Sequence, residues 1–114
     1  MQLTTRQIGN TLIIRVAERR LDAVVSIRFK EQMREATADG PPRVILDLGN
    51  VTFLDSSGLG AVVGVHKLLG PARRLELAGI TPNVGKVLQL TRMDSIFTIH
   101  RHIADAICSH DGAA

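Results

Sequence analysis

Residues Val44–Gly64 read VILDLGNVTFLDSSGLGAVVG, and this stretch decides the fold. It begins inside a continuous apolar run, Arg43–Leu48, of the kind a parallel sheet buries on both faces. It runs into Gly58–Leu69, which is nearly all apolar and reads as a buried helix. Between the two lie a loop and then Asp55, Ser56 and Ser57, all of them good helix N-cap types. Strand, loop and capped helix make a βα unit, with the helix beginning near Ser57. In open α/β sheets the working site lies beyond the carboxyl ends of the strands, which is where these serines fall.

Working outward gives more units of the same kind. Towards the N-terminus, LTTRQIG and TLIIRVA flank Gly9–Asn10 and predict an opening hairpin. From Val25 the period changes: Val25, Phe29, Met33 and Ala36 recur at helical spacing until Asp39–Pro42 stops the helix. Towards the C-terminus, RRLELAGI (Arg73–Ile80) alternates like a strand. Thr81 is placed to cap a helix with Pro82 in its first turn and Val84, Val87 and Leu88 on one face. SIFTIH predicts a short last strand, and RHIADAICSH a closing helix with Ile103, Ala106 and Ile107 inward. The predicted order is β-β-α-β-α-β-α-β-α. That order implies an α/β domain with a mixed, largely parallel sheet of about five strands flanked by about four helices. The domain is expected over 1–110, with 111–114 a frayed, disordered tail.

Composition narrows the class. A chain of 114 residues, 45% hydrophobic, supports one core without staples. The single cysteine, Cys108, excludes an internal disulfide and suits a reducing compartment. No basic segment followed by an apolar one marks a signal peptide, and the longest apolar run, Leu59–Val65, is far too short to span a membrane. A cytoplasmic domain with no membrane partner is expected. The net charge of +3 invites a nucleic-acid reading, but Arg19–Arg20, Arg73–Arg74, Arg92 and Arg101 are scattered. Three phenylalanines, with no Trp or Tyr, leave few stacking platforms, so no direct nucleic-acid contact is expected.

Several chemistries compete for the serines. A serine hydrolase wants its nucleophile in Gly-x-Ser-x-Gly with a histidine base; neither serine has glycine two residues before it. His66 sits further along the same helix at a different height, and His100, His102 and His110 come late. Gly58, Gly60 and Gly64 open a helix, with Glu76 on the next strand where a ribose ligand would lie. A dinucleotide fingerprint nevertheless requires an immediate turn after the strand, and the P-loop lysine is absent. His100, His102, Cys108 and His110 suggest metal ligands only weakly beside their reading as cap and surface residues. Two readings remain open, a plain helix cap and a modification site. A phosphoryl group there would face free backbone N–H groups and the positive end of the helix dipole.

These residues carry a resemblance. VILDLGNVTFLDSSGLGAVVG resembles the core signature of the STAS (sulfate transporter and anti-sigma antagonist) family, and RLDA, Arg20–Ala23, resembles the segment before that family's first helix. The resemblance implies a STAS-like fold and an anti-sigma factor antagonist. Its unphosphorylated form would bind an anti-sigma factor that is also a serine kinase, releasing a sigma factor. The kinase would phosphorylate the serine after the aspartate, here Ser56, with Ser57 as the neighbouring cap, and a serine phosphatase would reset the switch. The implied docking residues are Asp22, Asp55, Ser56, Ser57, Gly58, Leu59 and Gly60, with Leu59 the exposed apolar contact and Gly58 and Gly60 admitting close backbone approach. The protein would be a substrate and not an enzyme, with no cofactor or metal of its own and ATP held by its partner. Arg19–Arg20 stand where the family often has Gly-Glu, which bears on partner choice. The alternative is a non-phosphorylated scaffold subunit of a lipid-transport or stress-sensing complex.

Overall fold

Apolar side chains alternate along the central strands and so face opposite sides of one sheet. In the computed structural model, which describes the backbone of residues 1–113 and side-chain surroundings for 1–108, the elements are as follows. β1 (Leu3–Ile8) and β2 (Thr11–Val16) form the opening hairpin, followed by a two-residue β3 (Arg20–Leu21) and α1 (Ser26–Ala36). Then come β4 (Arg43–Asp47), a two-residue β5 (Phe53–Leu54) and α2 (Ser56–Leu69). β6 (Arg74–Ala78), α3 (Pro82–Leu90), a 3-10 turn (Met93–Ser95), β7 (Thr98–His100) and α4 (Ile103–Ala113) complete the chain. The main sheet has five strands in the order β1-β2-β4-β6-β7, with only the β1–β2 pair antiparallel.

One face of the sheet presents Leu12, Ile14, Val16, Val44, Leu46, Leu75 and Leu77 to α1, α2 and α3. Those helices answer with Phe29 and Met33, with Ala61, Val62 and Val65, and with Val84 and Leu88. The other face presents Ile13, Ile45 and Ala78 to Ala106, Ile103 and Ile107 of α4. β4 is buried at all five positions, as its unbroken apolar run requires. The expected α/β class and largely parallel sheet are therefore those observed.

Four local expectations need correction. β6 does not alternate between core and solvent: Leu75, Glu76, Leu77 and Ala78 are all buried because α4 covers the second face. The segment SIFTIH is a strand only from Thr98, since Ser95 closes the 3-10 turn and Ile96 is exposed. The Thr81 hydroxyl does not bond within its own helix; it donates to the Val51 carbonyl at 2.6 Å and ties α3 to the loop after β4. β3 and β5 form a small separate parallel pair, Arg20 beside Phe53 and Leu21 beside Leu54, that the periodicity did not announce. The tail expected over 111–114 falls outside the residues described in full, although the α4 backbone is helical to Ala113.

Candidate functional site

The small β3–β5 pair sets the geometry of the serines. The Arg19 carbonyl accepts the N–H groups of Thr52, at 2.8 Å, and Phe53, at 3.2 Å, and this fastens the two segments side by side. Asp22 and Asp55, the residues after β3 and β5, thereby come to one edge. Asp55 has extended backbone and is the N-cap of α2, which begins at Ser56 and not at Ser57. One carboxylate oxygen, Oδ1, accepts the Gly58 N–H at 2.8 Å, and the other accepts the Ala23 N–H at 3.2 Å. A single side chain thus caps the helix and holds the turn after β3 against it. The cap role expected of Ser57 belongs to Asp55, leaving both serines exposed on the first turn.

Asp22 is held from its own side. Its Oδ2 accepts Arg20 Nε at 3.1 Å and its Oδ1 accepts the Val24 N–H at 3.1 Å. The Arg20 hydrogen bond holds the Asp22 carboxyl below its ordinary range, partly opposed by desolvation and assisted by the Val24 and Val25 backbone N–H groups. The Arg20 guanidinium also lies 4.1 Å over the half-exposed Phe53 ring, a cation–π contact. The departure at Arg19–Arg20 therefore does structural work: Arg19 lends its carbonyl to the strand pair, and Arg20 fixes Asp22 and covers Phe53.

The two glycines differ. Gly58 is buried, and a Cβ there would stand 2.0 Å from the Leu21 carbonyl oxygen, so it serves β3–α2 packing and not a partner. Gly60 is exposed with nothing within 4 Å of a built Cβ. Leu59 is half-buried against the core, and the exposed apolar surface near the site belongs to Val24, Ile27 and Phe53. Ser56, Ser57, Asp55, Asp22 and Gly60 gather at one edge, with Gly58 beneath them.

The competing readings are not assembled. Glu76 is not presented to a ribose: it is buried and takes a two-pronged ion pair from Arg43, 2.8 Å on each oxygen, with His100 Nε2 at 2.7 Å. Among the described residues no group of three or more His, Cys, Asp and Glu is placed to hold a metal, and His110 lies outside those described in full. His66 packs edge-on against Phe97, away from the α2 start. Sequence reasoning missed the Arg43–Glu76–His100 cluster, whose only signal was charge inside otherwise apolar strands.

A family model for the STAS domain matches residues 2–106, nearly the whole chain. The chain belongs to the STAS domain family. Among curated relatives, the anti-sigma-B factor antagonist of Staphylococcus aureus is 26% identical over 81 residues, covering 70% of this chain and 75% of that protein. Among solved structures, an anti-sigma factor antagonist from Mycobacterium paratuberculosis superposes with a TM-score of 0.85 at 22% identity, over 95% of this chain and 92% of its own. The unphosphorylated form of the anti-sigma factor antagonist SpoIIAA matches at a TM-score of 0.76 and 24% identity, over 97% of both chains. The phosphorylated form of SpoIIAA, a Bacillus cell fate determinant, matches at 0.69 and 22%, over 95% and 98%. At these identities the structural matches establish the fold. Among the described residues no helix is long and apolar enough to cross a membrane.

Proposed function

We propose that this chain is an anti-sigma factor antagonist switched by phosphorylation of Ser56. In its unphosphorylated state it binds an anti-sigma factor with serine kinase activity in the cytoplasm and releases a sigma factor. That kinase then modifies Ser56, and a serine phosphatase restores it. The chain acts as substrate, without catalysis or cofactor of its own and without touching nucleic acid directly. The observation that carries the reading is the exposed first turn of α2: Ser56 stands free because Asp55, not the serine, satisfies the Gly58 N–H. The names of the relatives support the same direction, as does the fact that a structural neighbour has been solved in phosphorylated form.

The physics of such a switch is favourable. A phosphate at Ser56 adds about −1.5 to −2 charges beside the backbone N–H groups of a helix start, which tolerate it without rearrangement. A docked partner would have to desolvate that charge, which costs several kcal/mol where nothing complements it. The docking surface on this reading is Asp22, Asp55, Ser56, Ser57, Leu59 and Gly60, with Gly58 holding the floor.

The test is incubation with anti-sigma kinases encoded in the source genome and ATP, followed by phosphopeptide mapping and binding measurements. Label on Ser56, with Ser56→Ala unlabelled yet bound and Ser56→Asp folded yet weakly bound, is the expected result. Label confined to Ser57 overturns the assignment. No label with any kinase favours the scaffold subunit.

A further inference from the structure

A trough runs between α1 and the second half of α2. It has a volume of about 650 Å3 and is lined by Ile27, Lys30, Glu31 and Arg34 of α1 and by Lys67 and Leu68 of α2. Ile27 is 70% exposed and Leu68 51%, both large apolar side chains with no cover. Lys30, Arg34 and Lys67 oppose the single carboxylate of Glu31, and among the described residues none of the four makes an ion pair. Gly64 forms part of the floor: a Cβ there would meet Lys30 Cε at 3.2 Å, so the lysine stem lies down across α2. Ser56 begins the same helix two turns before Gly64, so the trough lies along the element that carries the proposed switch.

We infer that this trough receives an acidic amphipathic helix of the anti-sigma partner, an assignment that rests on the functional reading above. A groove between two helices takes a third by laying its apolar ridge along the seam, and Ile27 and Leu68 supply the seam here. The excess of cations calls for carboxylates on the incoming helix, and Glu31 calls for one basic residue among them. A second copy of the chain fits poorly, because an isologous contact would set the same cations against each other on a molecule already at +3. Nucleic acid fits poorly as well. A phosphate backbone has no apolar ridge to lay along the exposed Ile27 and Leu68, and no aromatic side chain lines the trough for stacking.

The experiment uses the isotope-labelled full chain and its Lys30→Glu/Lys67→Glu variant, with folding of the variant checked by circular dichroism and Lys67→Glu alone held as a milder second variant. The probes are the anti-sigma kinase found by the phosphorylation assay, a synthetic acidic amphipathic helical peptide, a short single-stranded oligonucleotide, and phosphatidylglycerol vesicles. Charge reversal should weaken kinase binding by about tenfold or more and flatten its salt dependence, as expected for close charge pairs. The peptide should shift the Gly64 and Lys67 amide resonances saturably in the parent chain and not in the variant. If Ser56→Asp weakens kinase binding while charge reversal does not, the trough assignment falls and the functional reading stands. If no kinase binds but the peptide shifts Gly64, the functional reading falls and the trough keeps its acidic-helix preference. Stronger shifts from the oligonucleotide or the vesicles than from the peptide overturn the proposal.

Discussion

Gly58 has no room for a methyl group. Its built Cβ lies 2.0 Å from the Leu21 oxygen and 2.7 Å from the Leu21 carbon, both backbone atoms that β3 pairing holds in place. Relief requires α2 to part from β3, so Gly58→Ala should cost about 3 kcal/mol, the upper range for overpacking, despite the better helix propensity of alanine. Gly60 sits two residues on with nothing near its Cβ, so Gly60→Ala should gain up to about 1 kcal/mol from propensity alone. Urea unfolding of the two variants checks the pair. Equal effects at both sites would show that the contact with Leu21 is not what keeps position 58 bare. Gly60→Ala also asks a functional question, because any loss of partner binding in this stabilised variant places the docking face over Gly60.

At the scale of elements, the start of α2 depends on a carboxylate that serves two segments. Asp55→Ala removes both the cap to Gly58 and the bond to the Ala23 N–H, and should destabilise by about 2 kcal/mol. Ser57→Ala, which removes neither, should stay within about 0.5 kcal/mol of the parent. Thermal unfolding of both variants distinguishes them, and a larger loss for Ser57→Ala would return the cap to that residue. The same element shows where sequence reading stops. β2 and β4 were legible as apolar runs, α1 and α3 by apolar residues at helical spacing, α2 as a capped apolar run, and β1 only through the Gly9–Asn10 turn beside it. β3 and β5 have two residues each, too few for any period, and exist because the Arg19 carbonyl and the Leu21–Leu54 register bring them together. Asp-Ser-Ser-Gly was legible as a helix start, but which of three cap-competent side chains would take the N–H depended on Ala23, distant in sequence. Leu59 was misplaced as the exposed contact for a related reason: helical rotation after a start at Ser56 turns it partly into the core.

At the scale of the whole molecule, α4 stands alone on its face of the sheet and is tied there by charge as well as by Ile103, Ala106 and Ile107. Arg43 of β4 donates to both oxygens of Glu76 on β6 and, through Nη2, to the Ala106 carbonyl on α4 at 2.9 Å. His100 of β7 joins Glu76 at 2.7 Å, and the exposed Arg74 guanidinium lies 3.3 Å away. Burial by itself would raise the Glu76 pKa. The hydrogen bonds from Arg43 and His100 and the charges of Arg43 and Arg74 outweigh it and bring the pKa down from 4.5 to about 2. A carboxyl with a depressed folded pKa stabilises the fold fully above its unfolded value and loses that contribution as pH falls through the folded one. Glu76 should therefore contribute roughly 3 kcal/mol at neutral pH, fading between 4.5 and about 2. Glu76→Gln leaves Arg43 buried without its counter-charge, so it should unfold more easily at pH 7 by a similar amount. Its deficit against the parent should then shrink steadily as the pH is lowered through that window. Urea unfolding of both proteins at a series of pH values reads the difference, and amide exchange along α4 reads its location. Parallel stability curves for the two proteins between pH 4.5 and about 2 would mean that the cluster does not carry the acid sensitivity. Convergence of the curves with no loosening of α4 would mean that Arg43 ties only the strands, and that the helix is held by its apolar contacts alone.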